Sequence, residues 1–251
     1  MRACWLKSFP KKTAMPVRQA NEGAAVEPNH LYVIPPNSSM RISQGRMTLR
    51  PRGETLGPPM PINDLLHSLA EDQGANAIGV ILSGSGSDGA LAMQSIKGEG
   101  GITFAQNDES ARFTGMPRAA IGLGCVDFVL TPQDMGRELE RLGRHAYLAS
   151  TRHARNVEPV QVDEESLRRV FAVLKSASAV DFTYYKRGTI MRRLARRLAA
   201  HKLETMTEYV ALLETAPGEA HALFDDLLIR ITEFFRDREI FDGLAKTVFP
   251  H

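Results

Sequence analysis

Cysteine is nearly missing. The 251 residues hold two, Cys4 and Cys125; they form no C-x-x-C pair and predict a reducing, disulfide-free compartment. Long apolar runs are missing too. No stretch approaches the length of a transmembrane helix, and Lys7, Pro10, Lys11 and Lys12 interrupt the beginning of the chain, where a signal peptide needs a continuous apolar core. A cytoplasmic protein without membrane insertion is the expectation. Charge of one sign is not in excess: 31 Lys and Arg face 29 Asp and Glu, for a net charge of +2, so whole-chain charge selects no class of partner. No phosphate cradle is expected: Gly84, Gly86 and Gly89 share only the bare G-x-G-x-x-G spacing, a weak signal by itself, and no Lys-Ser/Thr pair follows them to make a P-loop. His67 has no second histidine at i+4 and reads as a packed or surface histidine, so no metal site is expected.

What is present is a core-building composition, 43% apolar, and one organising stretch. Ala77 to Leu82 is an apolar, β-branched run that enters the turn Ser83-Gly84-Ser85-Gly86-Ser87 and leaves through Asp88-Gly89 into Ala90-Leu91-Ala92-Met93. The run is too short for a membrane and too apolar for an exposed strand, so it predicts a buried strand of a parallel sheet. Asp88 stands where strand gives way to helix. Carboxyl ends of strands collect ligands and catalytic groups in open α/β sheets, but Asp is also a favoured helix N-cap. Spacing alone leaves both roles open.

Around this centre, Met15-Pro16-Val17 begins an extended segment and Leu31 to Ile34 is a short strand stopped by Pro35-Pro36. Met40 to Ile42 and Met47 to Leu49 flank a hairpin turned at Gly45. Asn63 can cap a helix carrying Leu65, Leu66, Leu69 and Ala70. Ile102 to Gln106 is the next strand, Gly115-Met116-Pro117 starts a helix ended by Gly124, Val126 to Leu130 is a final strand, and Pro132 opens a helix to Leu142. Strands and helices alternating in this way predict an α/β unit with a parallel, two-faced sheet.

Met15-Pro16-Val17, the segment Val26-Glu27-Pro28-Asn29-His30-Leu31-Tyr32-Val33-Ile34-Pro35-Pro36-Asn37, the Gly84 to Gly89 turn and Gly115-Met116-Pro117-Arg118-Ala119-Ala120 together resemble the CheB-type protein-glutamate methylesterase domain, over about residues 13–145. The resemblance implies a truncated Rossmann-like parallel sheet and a family chemistry in which a Ser-His-Asp triad hydrolyses glutamyl methyl esters on chemoreceptors. It makes Asp88 the triad aspartate, the group that holds the imidazole in one tautomer and stabilises the imidazolium. In the family the serine and histidine lie on loops ahead of the segment that begins near Thr13, and neither loop is found here. The expectation is therefore an orienting aspartate without base or nucleophile, in a truncated or mis-started reading frame. Ser83, Ser85 or Ser87 with His67 is a conceivable substitute pairing, though a triad demands hydrogen-bond reach that chance seldom provides.

Residues 146–162 read as a linker, and from residue 163 the pattern is helical. Leu167, Val170, Phe171 and Leu174 share a helix face. Ile190, Met191, Leu194, Ala195 and Leu198 form one face of the next helix, with Arg192, Arg193, Arg196 and Arg197 on the opposite one. Leu203 to Leu213 and Ala220 to Ile231 supply two more helices, with Pro217-Gly218 as the break. A charge run is ordinarily a solvated face, yet no acidic residue interrupts Lys186 to Lys202, and such a stripe suits an acidic partner. Nucleic acid is the rival partner, but no aromatic platform or groove-reading motif accompanies the stripe.

Asp181-Phe182, Tyr185-Lys186, Thr189 to Leu198 and Ile231-Thr232-Glu233-Phe234-Phe235-Arg236-Asp237 resemble the helical N-terminal domain of the CheR-type protein-glutamate methyltransferase. The resemblance implies that Arg192, Arg193, Arg196 and Arg197 dock on chemoreceptor methylation helices, and that Thr232 and Arg236 border the S-adenosylmethionine site. The large cofactor-binding domain of that family should begin just after His251. The combined expectation is a partial CheB-type methylesterase domain over 1–145, a linker over 146–162 and a CheR-type all-α helical domain over 163–251. It would be a chemotaxis signal-transduction protein of the protein-glutamate methylesterase/O-methyltransferase kind, inactive as a hydrolase or transferase by itself and binding no cofactor alone. Chemoreceptor helices are its expected partners, with sensory kinase components as a second possibility. The alternative is a non-catalytic module that binds receptor helices through its arginine-rich helix.

Overall fold

A computed structural model of the chain describes residues 13–52, 59–144, 164–185 and 187–228. The first two stretches form an α/β unit. Strands β1 (Val17–Gln19) and β2 (Leu31–Val33) pair in parallel, while β3 (Ser38–Ser43) and β4 (Arg46–Pro51) form a hairpin. Its two-residue turn puts Gln44 at φ 52° and Gly45 at φ 70°. Both central residues with positive φ is the turn whose twist matches the strands it joins, as Gly45 predicted.

Helix α1 (Pro61–Gln73) packs across β3 and buries Leu66, Ser68 and Ala70. Its Ser68 hydroxyl accepts from the Ile42 amide at 2.9 Å, pinning helix to hairpin. Then come β5 (Ile78–Ile81), α2 (Ala90–Gly98), β6 (Ile102–Gln106), α3 (Gly115–Gly122), β7 (Phe128–Leu130) and α4 (Pro132–Arg144). The sheet order is β5-β6-β7, all parallel. All five residues of β6 are buried, which is why Ile102 to Gln106 has no polar alternation. Helices α2 and α3 close one side through Met93, Ile96 and Ala120; Met135 and Leu142 of α4 join Ile102 and Phe104 in a separate cluster. Among the described residues, β1–β2 and β3–β4 form two separate two-stranded sheets.

The remaining stretches form a helical unit: α5 (Glu164–Ser178), α6 (Arg187–Ala200), α7 (Met206–Thr215) and α8 (Pro217–Leu227). Leu167, Val170 and Leu174 of α5 meet Ile190, Leu194 and Leu198 of α6, Tyr209, Val210 and Leu213 of α7 and Leu223 of α8, with Phe182 filling the space between. These are the i, i+3, i+4 positions that put apolar side chains on one face. Helix α7 starts three residues later than its apolar pattern, because Thr205 and Glu208 make a capping box: the Glu208 amide donates to the Thr205 hydroxyl and the Thr205 amide to the Glu208 carboxylate. Pro217, at the break between the last two helices, is itself the first residue of α8. A first-turn proline has no intrahelical N–H bond to lose.

Candidate functional site

The turn after β5 is built from small residues because neighbouring chain lies against it. A Cβ on Gly84 would stand 2.3 Å from Met116 Sδ, and one on Gly115 would stand 3.0 Å from the Gly86 amide nitrogen. Gly84 donates its amide to the Phe113 carbonyl at 2.9 Å, and Met116 donates to the Gly84 carbonyl at 2.9 Å. The Ser83 hydroxyl accepts from the Phe113 amide, and the Ser83 amide donates to Gln106 Oε1 at 2.8 Å. The Gly-Ser turn and the Gly-Met-Pro segment are thereby stitched into one ledge at the carboxyl end of β5.

Asp88 leaves that ledge half-buried and turns to α1. Its Oδ2 accepts from the Ile62 amide at 3.1 Å and its Oδ1 from the Asn63 amide at 3.0 Å. The residue before α1, Met60, supplies no side-chain cap, so the Asp88 carboxylate satisfies two amides in the first turn of a helix 27 residues upstream and sits at the positive end of its dipole. Asn63 returns the favour. It does not cap its own helix, as its position suggested; its Oδ1 accepts from the Ala92 amide, in the first turn of α2, at 3.1 Å. Two helix N-termini are therefore capped crosswise by one aspartate and one asparagine. Gly89 makes this possible with φ 90°, where a Cβ would meet Ile81 Cδ1 at 2.5 Å and Ile62 Cγ2 at 2.7 Å. Of the two roles weighed for Asp88, the cap is seen, but on the neighbouring helix rather than its own.

No imidazole among the described residues touches Asp88. His30 is paired with the Pro28 carbonyl and Glu27, His67 with Ser95 and Glu71, His201 with Glu219 and Arg197, and His221 with the Pro217 carbonyl. His67 thus meets a serine, but Ser95 on α2 at 2.9 Å rather than Ser83, Ser85 or Ser87. The one described thiol, Cys125, is buried against Ala120 and Ala90, and burial raises its pKa. Among the described residues, no group of three or more His, Cys, Asp or Glu is arranged to hold a metal. Thr232 and Arg236, the positions linked to S-adenosylmethionine, lie outside the described residues.

The arginine stripe is where the sequence expectation of a solvated face gives way. Arg192 is exposed, but Arg193 and Arg196 are buried, with Arg196 only 1% exposed. Arg196 donates Nε to the Gly101 carbonyl at 3.1 Å and its two terminal nitrogens to Asp127 and Asp226. Arg193 donates to the carbonyls of Lys97 and Gly98; burial, with the Arg196 charge beside it, brings its pKa down to about 10, so it stays charged at neutral pH. Arg197 donates Nε to Glu219 at 2.8 Å and its Nη2 to the other Glu219 oxygen, and lies 3.6 Å from Asp226. The physical reason is neutralisation. Asp127, Asp226 and Glu219 are themselves buried carboxylates, and a buried guanidinium is tolerated only where such partners meet it. The α6 arginines are what Asp226 and Glu219 of α8 and Asp127 of the α/β unit require.

Glu219 shows the balance most clearly. Burial would push its pKa up, but hydrogen bonds from His201 at 2.7 Å and from Arg197, the Arg197 charge and the Tyr209 hydroxyl at 2.7 Å outweigh it and hold the group at about 2. Burial beside that carboxylate pushes the Tyr209 phenol up. Sequence reasoning missed all three carboxylates. The available signal was Glu219 and Asp226, seven residues apart, on the face of α8 that also carries Ala220, Leu223 and Leu227.

Similarity to known proteins follows the same division. A family profile described as CheB methylesterase matches residues 3–139, reaching further toward the start than the motifs beginning near Thr13, and one described as CheR methyltransferase, all-alpha domain, matches residues 165–228. A 104.1 kDa protein encoded 3′ of hypE in Rhodobacter capsulatus, itself uncharacterized, is 31% identical over 256 aligned positions, covering 95% of this chain and 27% of that protein. The protein-glutamate methylesterase/protein-glutamine glutaminase of Bordetella parapertussis is 39% identical over 153, covering 57% of this chain and 44% of that one. The chain thus spans less than half the length of either relative. The crystal structure of the Thermotoga maritima CheB methylesterase catalytic domain superposes with a TM-score of 0.50 at 25% identity, over 57% of this chain and 79% of that one. By the profile that covers more than half its length, and by the parallel-sheet fold that carries Asp88, the chain belongs to the CheB methylesterase family, with a CheR-type all-alpha domain following.

Proposed function

We propose that this chain serves chemoreceptor methylation signalling, engaging the glutamate-rich methylation helices of receptor cytoplasmic domains, and that it hydrolyses no methyl ester by itself. The esterase and methyltransferase activities belong, on this reading, to longer proteins of the same architecture. The order of the two profile matches, methylesterase then methyltransferase, supports the pathway. One observation carries the catalytic half of the reading: no described imidazole reaches Asp88, whose carboxylate oxygens each accept a backbone amide of α1 instead. A triad aspartate acts by holding an imidazole and stabilising its charged form, and Asp88 meets no imidazole among the described residues. S-adenosylmethionine enters only through the methyltransferase resemblance, and no step here depends on it.

Carboxylate recognition is the chemistry that distinguishes a methylation helix before and after modification, since esterification removes a negative charge. The proposal is tested by titrating the purified chain with a receptor cytoplasmic fragment carrying glutamates, or glutamines, at its methylation positions. The glutamate form should bind more tightly, and the difference should shrink as salt is raised. Equal binding of both forms at low salt would sink the receptor-helix reading.

A further inference from the structure

Helix α6 has two sides, and both are covered. Ile190, Leu194 and Leu198 enter the core of the helical unit, while the side bearing Arg193 and Arg196 is inserted into the α/β unit. Arg193 caps the end of α2, donating to the carbonyls of Lys97 and Gly98, where the helix dipole is negative. Arg196 bridges Asp127 of the α/β unit and Asp226 of α8. Lys97 reaches the other way, its Nζ 3.3 Å from Asp226. Asp127 is aimed at the helix by its own unit: its Oδ2 accepts from the Thr103 amide at 3.0 Å and the Thr103 hydroxyl at 2.9 Å, leaving Oδ1 for Arg196. At the far end Arg141 donates to the Ala199 carbonyl at 2.6 Å, and Ala199 packs with Ile102, Phe104, Met135 and Leu142.

We infer that Arg193 and Arg196 of α6 form an internal latch, and that the α/β unit occupies them as a stand-in for an acidic helix. The inference rests on the receptor-helix reading above for the identity of the competitor. Two features support exchange rather than permanent closure. The contacts named across the junction are, apart from Ala199, guanidinium or ammonium groups on carboxylates and carbonyls, and such pairs come close to break-even against their desolvation. What Asp127 and the α2 carbonyls offer Arg196 and Arg193 is also what a row of glutamates offers: oxygen acceptors for planar, two-pronged donors. In the closed chain Arg192 alone of the four arginines faces solvent. Engagement of an acidic helix by Arg193 and Arg196 therefore requires the α/β unit to leave.

The junction contains its own reporter position. A Cβ built on Gly100 lies 3.5 Å from the Arg192 Cβ, within the spacing of about 3.5–4.5 Å that disulfides adopt. In the full chain, Gly100→Cys with Arg192→Cys should close an intramolecular disulfide on mild oxidation, and the oxidised form should bind a helical peptide rich in glutamate at least tenfold more weakly than the same protein after reduction. Gly100 has φ +90°, which a cysteine tolerates poorly, so Asp127→Asn supplies a second measurement. It keeps an oxygen for Thr103 but takes the charge from Arg196, and it should raise peptide affinity several-fold over the unsubstituted chain. A bonded and a reduced form that bind alike, or an Asp127→Asn chain that binds no better than the original, overturns the latch. If the disulfide closes readily but no form binds the glutamate peptide, the closed junction stands and the acidic helix is overturned as its competitor.

Discussion

Replacing Glu219 with glutamine removes one negative charge from the most enclosed part of the arginine network and changes almost nothing else. Glu219 is 7% exposed and accepts from Arg197, His201 and Tyr209. Its carboxyl titrates at about 2 in the folded chain against an ordinary 4.5. At about 1.4 kcal/mol for each pH unit between the two values, the charged form contributes roughly 3 kcal/mol to stability at neutral pH. The sign follows from the downward direction: the contribution is complete above about pH 4.5 and fades as pH falls toward 2. Glu219→Gln should therefore weaken the helical unit by roughly 3 kcal/mol at pH 7, with Asp226 left as the carboxylate beside Arg197. Peptide-resolved hydrogen exchange over α5 and α7 is the assay, because it isolates the helical unit. Protection there should fall about a hundredfold, and urea titrations should show the gap between variant and parent narrowing below pH 4.5. A variant within about 0.5 kcal/mol of the parent at pH 7, or a gap that holds constant down to pH 3, would refute the assignment of Glu219 as the charged anchor of Arg197.

Asp88→Ala should cost about 1–2 kcal/mol through two lost capping bonds, read as faster exchange of the Ile62 and Asn63 amides, with Asp88→Asn costing less because one carbonyl oxygen remains. Gly89→Ala should be worse, at about 2–4 kcal/mol in thermal denaturation, since its Cβ meets Ile81 and Ile62 at under 3 Å in a backbone conformation alanine avoids. Arg192→Glu should leave stability within about 0.5 kcal/mol, as an exposed substitution, yet weaken glutamate-peptide binding. Cys125 should resist a thiol reagent in the folded chain and react in urea, because burial both shields it and disfavours the thiolate.

Periodicity made the elements legible and pairing made the site legible only in part. The β5 run, the β6 run and the Gly45 hairpin declared themselves through apolar texture and turn chemistry, which are local properties. Asp88 was singled out from its place at the end of a strand, but the helix it caps begins 27 residues earlier, and nothing in the intervening sequence says that α1 and α2 present their N-termini to one another. The α6 stripe failed for a related reason. A helical wheel separates arginine from leucine, and solvent is the default on the arginine side; here Asp127, 69 residues before Arg196, and Asp226, 30 residues after it, converge to bury that side. Acidic residues placed on the apolar face of α8 were the readable hint that cations would be drawn inward.

The most direct measurement of the account is methanol release from a methyl-esterified receptor cytoplasmic fragment incubated with the purified chain. With no described imidazole in reach of the Asp88 carboxylate, release should stay at the level of the fragment alone. Sustained release by the chain that disappears on Asp88→Asn would contradict it.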